Sequence, residues 1–165
     1  MQTLLLFSHT YWEQSKVNKA LLESAKTLSN ISIHNLNTTY PNGDIHLQSE
    51  LELLKKADRI VCQFPLFWFS TPAIMKEWQD KVLSHIHYSD NPRALEHKKF
   101  SIITTAGGEA SSYDGHHGYS LDTLLSPIYN AFAYSYCDVN KKAYCIYKAN
   151  VDNLPINEYL ARLQG

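Results

Sequence analysis

The chain has 165 residues, of which 44% are apolar and 19% are charged, and its formal net charge is −1. This length suits one domain that removes roughly 70% of its unfolded surface from water, so we expect a single domain over residues 1–165. The near-neutral charge, without a block of like charges, excludes general nucleic-acid binding and attachment to an acidic membrane surface. A bound anion would have to be held locally, by backbone donors or a few side chains.

The cysteines and the first seven residues indicate in which cellular compartment the protein is expected. The three cysteines, Cys62, Cys137 and Cys145, form an odd set without a CxxC pair, which predicts a reducing environment and no disulfide framework. The apolar run at residues 1–7 has no basic lead and is too short for a signal peptide or a membrane span. We therefore expect a cytoplasmic protein without membrane insertion.

The first predicted unit is a buried strand over residues 3–7, followed by a polar loop and a helix. Ser15 is a candidate N-cap of this helix, whose apolar face begins at Val17. A helix entrance at the carboxyl end of a strand suits a phosphate, because its free N–H groups and the helix dipole both favour an anion. Neither GxGxxG nor GxxxxGK[ST] is present, so neither glycine-rich nucleotide fingerprint applies.

The next strand is predicted at residues 31–36, then an irregular loop at 37–48 and a short helix at 50–56. A third strand over residues 59–64 ends in the aromatic loop of residues 65–72. There, a planar ligand could meet aromatic groups at a strand's carboxyl end, although packing is the commoner role of large aromatic residues. Thr71 is a candidate cap, and Pro72 suits the first position, of the helix that follows.

The fourth strand is predicted at residues 100–104 and runs into a glycine-rich loop that reaches residue 118. A helix with a kink or break at Pro127, a fifth strand around residues 143–147 and a closing helix at 157–163 complete the chain. The alternation of strands and helices predicts an α/β fold. Its parallel five-stranded sheet would have order 2-1-3-4-5, with helices on both faces. In that order the special loops after strands 1, 3 and 4 meet at one edge.

With these loops in place, the sequence resembles the flavodoxin-fold NAD(P)H:quinone oxidoreductases, and within them the short bacterial NAD(P)H dehydrogenase type. The most specific piece is residues 57–73, ADRIVCQFPLFWFSTPA, followed by KEWQDKV at 76–82. Further matching pieces are TTAGG at 104–108, Tyr113, and the His9, Ser15 and Asn18 positions. The resemblance covers nearly the whole chain and implies a flavodoxin-like fold.

The resemblance implies a bound FMN, with FAD disfavoured because the longer FAD-binding relatives carry a C-terminal extension. The residues that it implies for cofactor binding are His9, Ser15, Lys16, Val17 and Asn18 at the phosphate, Pro65, Leu66, Phe67, Trp68 and Phe69 along one side of the flavin ring, and Thr105, Ala106, Gly107 and Gly108 at its other edge. Tyr113 and His117 match the residues that stabilise negative charge on the reduced ring. An imidazole and a phenol are suitable donors for such charge.

The implied function is an oxidoreductase that takes hydride from NAD(P)H and passes it through the flavin to a quinone or similar acceptor, as a homodimer. The resemblance leaves open a flavin-binding ancillary role in a potassium efflux system, with a membrane transporter as partner. A flavodoxin-like electron carrier is disfavoured by the charge of −1 and by the sequence of the phosphate loop. No metal site is expected, because the histidine pairs 85/87 and 116/117 lack a cysteine or acidic residue at ligand spacing.

Overall fold

The computed structural model describes residues 1–116 and 118–165 and contains one parallel sheet. Its strands are β1 (Thr3–Phe7), β2 (Ile31–Asn35), β3 (Arg59–Pro65), β4 (Lys99–Ala106), β5 (Asp138–Val139) and β6 (Tyr144–Tyr147). They lie in the order β2-β1-β3-β4-β5, and β6 also pairs with β4. The predicted order 2-1-3-4-5 is therefore confirmed, with a minor sixth strand.

The last position in the sheet is shared by β5 and β6. β5 pairs with Lys99 and Phe100 of β4, whereas β6 pairs with residues 103–106. The prediction of a single fifth strand at 143–147 therefore found β6 and missed β5. Residues 140–143 separate the two segments, and the exposed Lys141 and Lys142 in this stretch direct the chain towards solvent instead of along β4.

Seven helices are labelled in the described chain: α1 (Val17–Ala25), α2 (Leu36–Thr39), α3 (Leu47–Lys56), α4 (Ala73–Trp78), α5 (Ser84–His87), α6 (Leu121–Tyr134) and α7 (Ile156–Gln164). A π-helical turn, Gln79–Leu83, joins α4 to α5 in one continuous segment. The side-chain amide of Gln79 donates to the carbonyl of Met75 at 3.1 Å, which satisfies a carbonyl within the segment. The helix after the aromatic loop is consequently longer than predicted, and α2 lies inside the predicted loop.

The alternation of side chains along the strands builds a core on each face of the sheet. Leu4 and Leu6 of β1 face the cluster that includes Trp78 and Phe132 from α4 and α6. Leu5 of β1 faces the opposite cluster with α1 and α7. All five of these side chains are at most 1% exposed. Burial on both faces explains why the strands are continuous apolar runs.

Helix capping differs from the sequence prediction in two places. The first residue of α1 follows Lys16 and that of α4 follows Pro72, and neither helix start carries a side-chain cap. Ser15 and Thr71 therefore do not cap these helices, and the predictions that they do are wrong. The helix α6 continues through Pro127. Pro127 has no N–H to donate to the carbonyl of Thr123, and the hydroxyl of Ser126 donates to that carbonyl instead, at 2.7 Å.

Candidate functional site

The loops that follow β1, β3 and β4 meet in one open cleft of about 390 Å³ at the carboxyl edge of the sheet. The lining residues come from the three loops and from the end of β6: His9, Tyr11, Gln14, Ser15, Lys16, Val17, Asn18, Pro65, Leu66, Phe67, Thr105, Ala106, Gly107 and Ala149. A hydrogen bond of 2.8 Å from the Leu66 N–H to the Thr105 carbonyl joins two of the loops directly. Residues more than 80 positions apart in sequence thus form one surface.

His9 closes the end of β1 and is held by two hydrogen bonds. Its N–H donates to Asn37 Oδ1 at 2.8 Å, and its Nδ1 accepts the N–H of Tyr11 at 3.1 Å. Burial lowers the pKa of His9, so the neutral ring dominates at neutral pH. Because Nδ1 is an acceptor in this ring, the proton resides on Nε2, which is then a hydrogen-bond donor.

The amino end of α1 supplies the other donors at this end of the cleft. The first N–H groups of an α-helix have no partner within the helix, and α1 begins at Val17. The buried Ser15 and the exposed Lys16 precede it and line the same cleft. A hydroxyl, an ammonium group and free backbone N–H groups together favour an anion.

Asn18 lines the cleft, but its side chain is engaged in a buried network. Asn18 Nδ2 donates to Thr105 Oγ1 at 3.2 Å, and Asn18 Oδ1 accepts from Gln63 Nε2 at 3.4 Å. Gln63 Oε1 in turn accepts the hydroxyl of Tyr159 at 2.8 Å. This network ties α1 to β3, β4 and α7, so the Asn18 side chain positions the helix and its backbone N–H remains available to an anion. The sequence analysis did not identify Gln63 and Tyr159 as site residues, because it placed them only within a buried strand and the closing helix.

The aromatic loop is a two-residue turn closed by Phe67 and Ser70, whose backbones exchange hydrogen bonds of 3.0 and 2.9 Å. Trp68 and Phe69 occupy the centre of the turn with φ of 47° and 66°. Phe67 lines the cleft, and its ring lies 5.4 Å from that of His9. Trp68 is 93% exposed and Phe69 57%, and neither lines the cleft. The structure therefore brings Pro65, Leu66 and Phe67 into the cleft lining and leaves the next two aromatic rings outside it.

On the opposite wall, β4 ends in Thr105 and Ala106, and the glycine loop begins. An added Cβ on Gly107 would meet no atom within 4 Å, although Gly107 lines the cleft. A Cβ on Gly108 would lie 3.1 Å from Cε2 of Tyr113. Gly107 thus leaves the cleft open, whereas Gly108 makes room for the ring of Tyr113.

Tyr113 is packed between two aromatic rings and does not line the cleft. Its ring centroid lies 6.5 Å from that of Phe69 and 5.8 Å from that of Tyr147, on which it stacks at 30°. The residue after Tyr147, Lys148, donates its N–H to the carbonyls of Ala106 and Gly108 at 2.9 and 3.3 Å. The end of β6 therefore fixes both the glycine loop and the ring of Tyr113. His117, the other predicted catalytic residue, lies outside the described residues.

Three lining residues were not predicted from the sequence: Tyr11, Gln14 and Ala149. Tyr11 and Gln14 belong to the polar loop after β1. The length of this loop indicates that several of its residues can line the site. Tyr11 also contacts the turn, with its ring 5.8 Å from that of Phe67. Ala149 carries no chemical signal, and only the pairing of β6 with β4 brings it to the cleft.

The strand order and the cleft at its switch point define a flavodoxin-like α/β protein. The comparison of sequences agrees with the geometry: residues 1–163 match the family described as "Flavodoxin-like fold", and the chain belongs to that family. Within residues 1–116 and 118–165, no helix has the length and apolar character needed to cross a membrane.

The chain is also similar to individual proteins over most of its length. The chain is 39% identical over 127 residues to the glutathione-regulated potassium-efflux system ancillary protein KefF of Enterobacter sp. (strain 638), covering 76% of this chain and 72% of the relative. It is 35% identical over 130 residues to the uncharacterized NAD(P)H oxidoreductase YrkL of Bacillus subtilis, covering 77% and 75%. The crystal structure of general stress protein 14 from Treponema denticola in complex with FMN is similar with a TM-score of 0.90 at 26% identity, over 99% of this chain and 98% of that one.

Proposed function

We propose that this protein is an FMN-dependent NAD(P)H oxidoreductase that passes hydride from a nicotinamide to a quinone or similar acceptor. The observation that carries the proposal is the convergence of the helix entrance, the aromatic turn and the glycine loop on one cleft. Similarity to an NAD(P)H oxidoreductase and to a protein crystallised with FMN supports the same chemistry.

The residues present fit FMN at both ends of the cleft. The phosphate end offers the hydroxyl of Ser15, the ammonium group of Lys16, the Nε2–H of His9 and the N–H groups of Val17 and Asn18. These groups can hold a dianion without a metal ion, since helix N–H groups and a lysine favour phosphate.

The ring end of the cleft suits a flat heterocycle. Pro65, Leu66 and Phe67 form one part of the lining, and Thr105, Ala106 and Gly107 form another. The open space above Gly107 is what a ring edge requires, because a ligand close to the backbone excludes a side chain there.

FMN, when bound, supplies the hydride chemistry, and the protein supplies position and charge stabilisation. Tyr113 is the described residue best suited to charge stabilisation, because its hydroxyl is a donor and its ring is held by Tyr147 and Gly108. A donor fixed before reaction stabilises developing negative charge without the cost of reorganisation. We assign the same role to His117 from the resemblance alone.

The protein is proposed to act as a homodimer. A groove of about 480 Å³ lies between the α4–α5 segment and α6. Its lining includes Ser70, which closes the aromatic turn, and the exposed Tyr88 and Tyr134. Several exposed aromatic rings on one side of a protein favour a protein interface. A second copy seated there would cover the border of the cleft, where nicotinamide and acceptor must enter.

Similarity to KefF supports a second candidate, a flavin-binding ancillary subunit of a potassium efflux system. This role predicts FMN binding and a complex with a membrane transporter. Turnover is the property that separates the two candidates.

The test is an absorption spectrum of the protein reconstituted with FMN, followed by anaerobic titration with NADH and NADPH and then by addition of a soluble quinone. We expect a bound flavin spectrum, bleaching by at least one nicotinamide and recovery with quinone. Bound flavin that no nicotinamide bleaches would contradict the enzyme and favour the ancillary role. A protein that takes up no FMN would contradict both. The control is Lys55→Gln, which removes an exposed lysine of α3 far from the lining of the cleft.

A further inference from the structure

A chain of side-chain hydrogen bonds connects the last helix, α7, to the cofactor cleft. The hydroxyl of Tyr159 in α7 donates to Gln63 Oε1 at 2.8 Å, and Gln63 Nε2 donates to Asn18 Oδ1 at 3.4 Å. Asn18 Nδ2 then donates to Thr105 Oγ1 at 3.2 Å. Tyr159 and Gln63 are 0% exposed, whereas Asn18 and Thr105 are among the lining residues of the cleft. The chain therefore runs from the interior of the protein to the cleft.

This chain of hydrogen bonds joins the two ends of the cleft. Asn18 is the second residue of α1, at the helix entrance that offers donors to a phosphate. Thr105 lies near the end of β4, in the part of the lining that we assign to the flavin ring. Gln63 belongs to β3, which lies between β1 and β4 in the sheet. The Asn18–Thr105 hydrogen bond therefore holds the helix entrance in a defined place relative to the end of β4.

The direction of the three donations is determined at the Tyr159 end. A carboxamide has a donor and an acceptor end, so the amides of Gln63 and Asn18 can turn over together and reverse every donation. In the reversed arrangement the Tyr159 hydroxyl accepts from Gln63, and its own proton needs another acceptor. Among the described residues, the Tyr159 hydroxyl bonds Gln63 alone. A buried hydroxyl proton without an acceptor is unfavourable, so Tyr159 donates and the amides keep the observed orientation.

Tyr159 is a constant donor that is held firmly in place. Burial raises the pKa of Tyr159 well above its ordinary value, although the hydrogen bond with Gln63 lowers it in part. The hydroxyl therefore keeps its proton throughout the neutral range. The ring belongs to the apolar cluster that also contains Leu21 of α1 and Ile103 of β4. A protonated and well-packed phenol can thus fix the orientation of the two amides that follow it.

We propose that Tyr159 is a positioning residue of the cofactor site, which acts through Gln63 to hold the Asn18 amide in the orientation that donates to Thr105. The inference rests on the proposed function, because it takes the cleft to be the FMN site. Without the phenol donor, the two amide orientations become comparable in energy, and in the reversed one Asn18 presents Oδ1 to Thr105. The helix entrance then alternates between two contacts with β4. FMN binding has to select one of them, which weakens affinity because the site is no longer preorganised.

The first test uses the full chain without FMN and follows the side-chain amide protons of Asn18 by NMR. Tyr159→Phe removes one hydroxyl and keeps the ring, so the Asn18 amide resonances should shift and their exchange with water should accelerate. The matched control is Leu160→Ala, which removes packing of α7 on the same apolar cluster without removing a member of the hydrogen-bond chain. It should leave the Asn18 resonances in place. Unchanged Asn18 resonances in Tyr159→Phe, or equal changes in the two variants, would overturn the proposal.

The second test is a double-mutant cycle on the FMN dissociation constant, measured by quenching of flavin fluorescence. Tyr159→Phe should raise the constant about fivefold, as expected for the loss of one hydrogen bond, and Asn18→Ala should raise it about tenfold. The double variant should stay within about twofold of Asn18→Ala, because Tyr159 acts only through Asn18. Leu160→Ala should bind FMN like the unsubstituted protein.

Additive effects of Tyr159→Phe and Asn18→Ala would overturn the proposal, because they would show that Tyr159 influences the cleft by a route other than Asn18. Equal weakening by Tyr159→Phe and Leu160→Ala would do the same, since it would reduce the effect to lost stability of α7. If the unsubstituted protein takes up no FMN, the proposed function is wrong. The NMR comparison in the free protein then still decides whether Tyr159 orients Asn18.

Discussion

The adjacent glycines Gly107 and Gly108 have different surroundings. Gly107 faces open space in the cleft, and Gly108 faces the ring of Tyr113. Neither has a positive φ, so backbone conformation does not require glycine at either position. Gly108 makes room for Tyr113, whereas Gly107 leaves space only for a ligand. The glycines of this loop that do have positive φ are Gly115 and Gly118, with φ of 101° and 133°.

We expect Gly107→Ala to weaken FMN binding by tenfold or more, because its methyl group would occupy space that the ring needs, and to leave the thermal midpoint of the free protein unchanged. Gly108→Ala should instead displace Tyr113 and slow reduction by the nicotinamide, with a smaller effect on FMN affinity. Fluorescence titration of FMN and stopped-flow reduction measure the two effects. If both variants bind FMN and are reduced like the unsubstituted protein, the ring does not lie against this loop.

Glu50 is a buried carboxylate that the proposed chemistry does not use. It is fully buried and accepts hydrogen bonds from His34 Nε2 at 2.8 Å, from Trp78 Nε1 at 2.6 Å and from the hydroxyl of Tyr40. Burial by itself raises the pKa of Glu50, but these three donors outweigh burial and hold the pKa below its usual value. The carboxylate thereby joins β2, α3 and α4 at the back of the sheet.

Glu50→Gln should lower the free energy of unfolding by about 3 kcal/mol at pH 7, because an amide cannot accept from three donors at once. A folded pKa below the unfolded value of about 4.3 contributes stability that is complete above about pH 5 and is lost as the pH falls through the folded pKa. The difference in the free energy of unfolding between Glu50→Gln and the unsubstituted protein should therefore decrease below pH 4.

Urea denaturation at several pH values measures how the destabilisation by Glu50→Gln depends on pH. The control is Glu52→Gln, an exposed carboxylate two residues along the same helix, for which we expect a change within about 0.5 kcal/mol. A constant difference between Glu50→Gln and the unsubstituted protein from pH 7 to pH 3 would contradict ionisation of Glu50 in the folded state.

At the scale of the element, the turn at Trp68 and Phe69 conflicts with its own sequence. Positive φ at both central positions is the geometry that Asn-Gly adopts readily, whereas bulky side chains there cost about 1–2 kcal/mol each. Trp68 recovers little of this cost within the described chain, since it is 93% exposed. Strain that the free protein does not repay indicates that the turn is kept for a ligand or a partner.

The double substitution Trp68→Asn and Phe69→Gly should raise the free energy of unfolding by about 1–2 kcal/mol, because it relieves the strained φ angles. It should also reduce NAD(P)H oxidation, because the rings at the border of the cleft are lost. Equilibrium urea denaturation and steady-state assays measure the two effects, and they should move in opposite directions. Reduced stability together with full activity would show that the rings serve packing alone.

At the scale of the whole molecule, the exposed aromatic rings beside the groove between the α4–α5 segment and α6 predict association. A stable interface buries about 800 Å² on each partner, and a groove lined by the exposed rings of Tyr88 and Tyr134 can supply the apolar centre of such a surface. Lys76 and Asp80 also line this groove, and they pair with each other, so the groove carries no net charge from them that would repel a second copy.

We expect light scattering to give twice the chain mass of 18.9 kDa for the unsubstituted protein. The double variant Tyr88→Glu and Tyr134→Glu should give the mass of one chain and lose activity, because charge at the centre of an interface prevents its burial. Val151→Glu, at an exposed position after β6, is the matched control and should remain a dimer. A monomeric unsubstituted protein with full turnover would contradict the proposed dimer.

The periodicity of apolar residues was sufficient to predict most strands and helices, because burial on both faces leaves continuous apolar runs in the strands and stripes in the helices. The strand order came from the doubly wound arrangement of such units and from the family resemblance, not from periodicity. Local geometry was less predictable. β5 has only two residues, and the capping roles assigned to Ser15 and Thr71 were wrong because helix starts depend on the backbone path of the preceding loop. The π-helical turn and α2 likewise lacked a local sequence signal.

The sequence by itself determined which three loops would meet, because the carboxyl ends of neighbouring parallel strands lie at the same edge. Only the tertiary structure decided which side chains line the cleft: Phe67 does, whereas the exposed Trp68 and Phe69 of the same turn do not. The network from Asn18 to Tyr159 and the carboxylate of Glu50 depend on contacts between distant segments. Such contacts have no periodicity along the chain, and a sequence pattern therefore cannot report them.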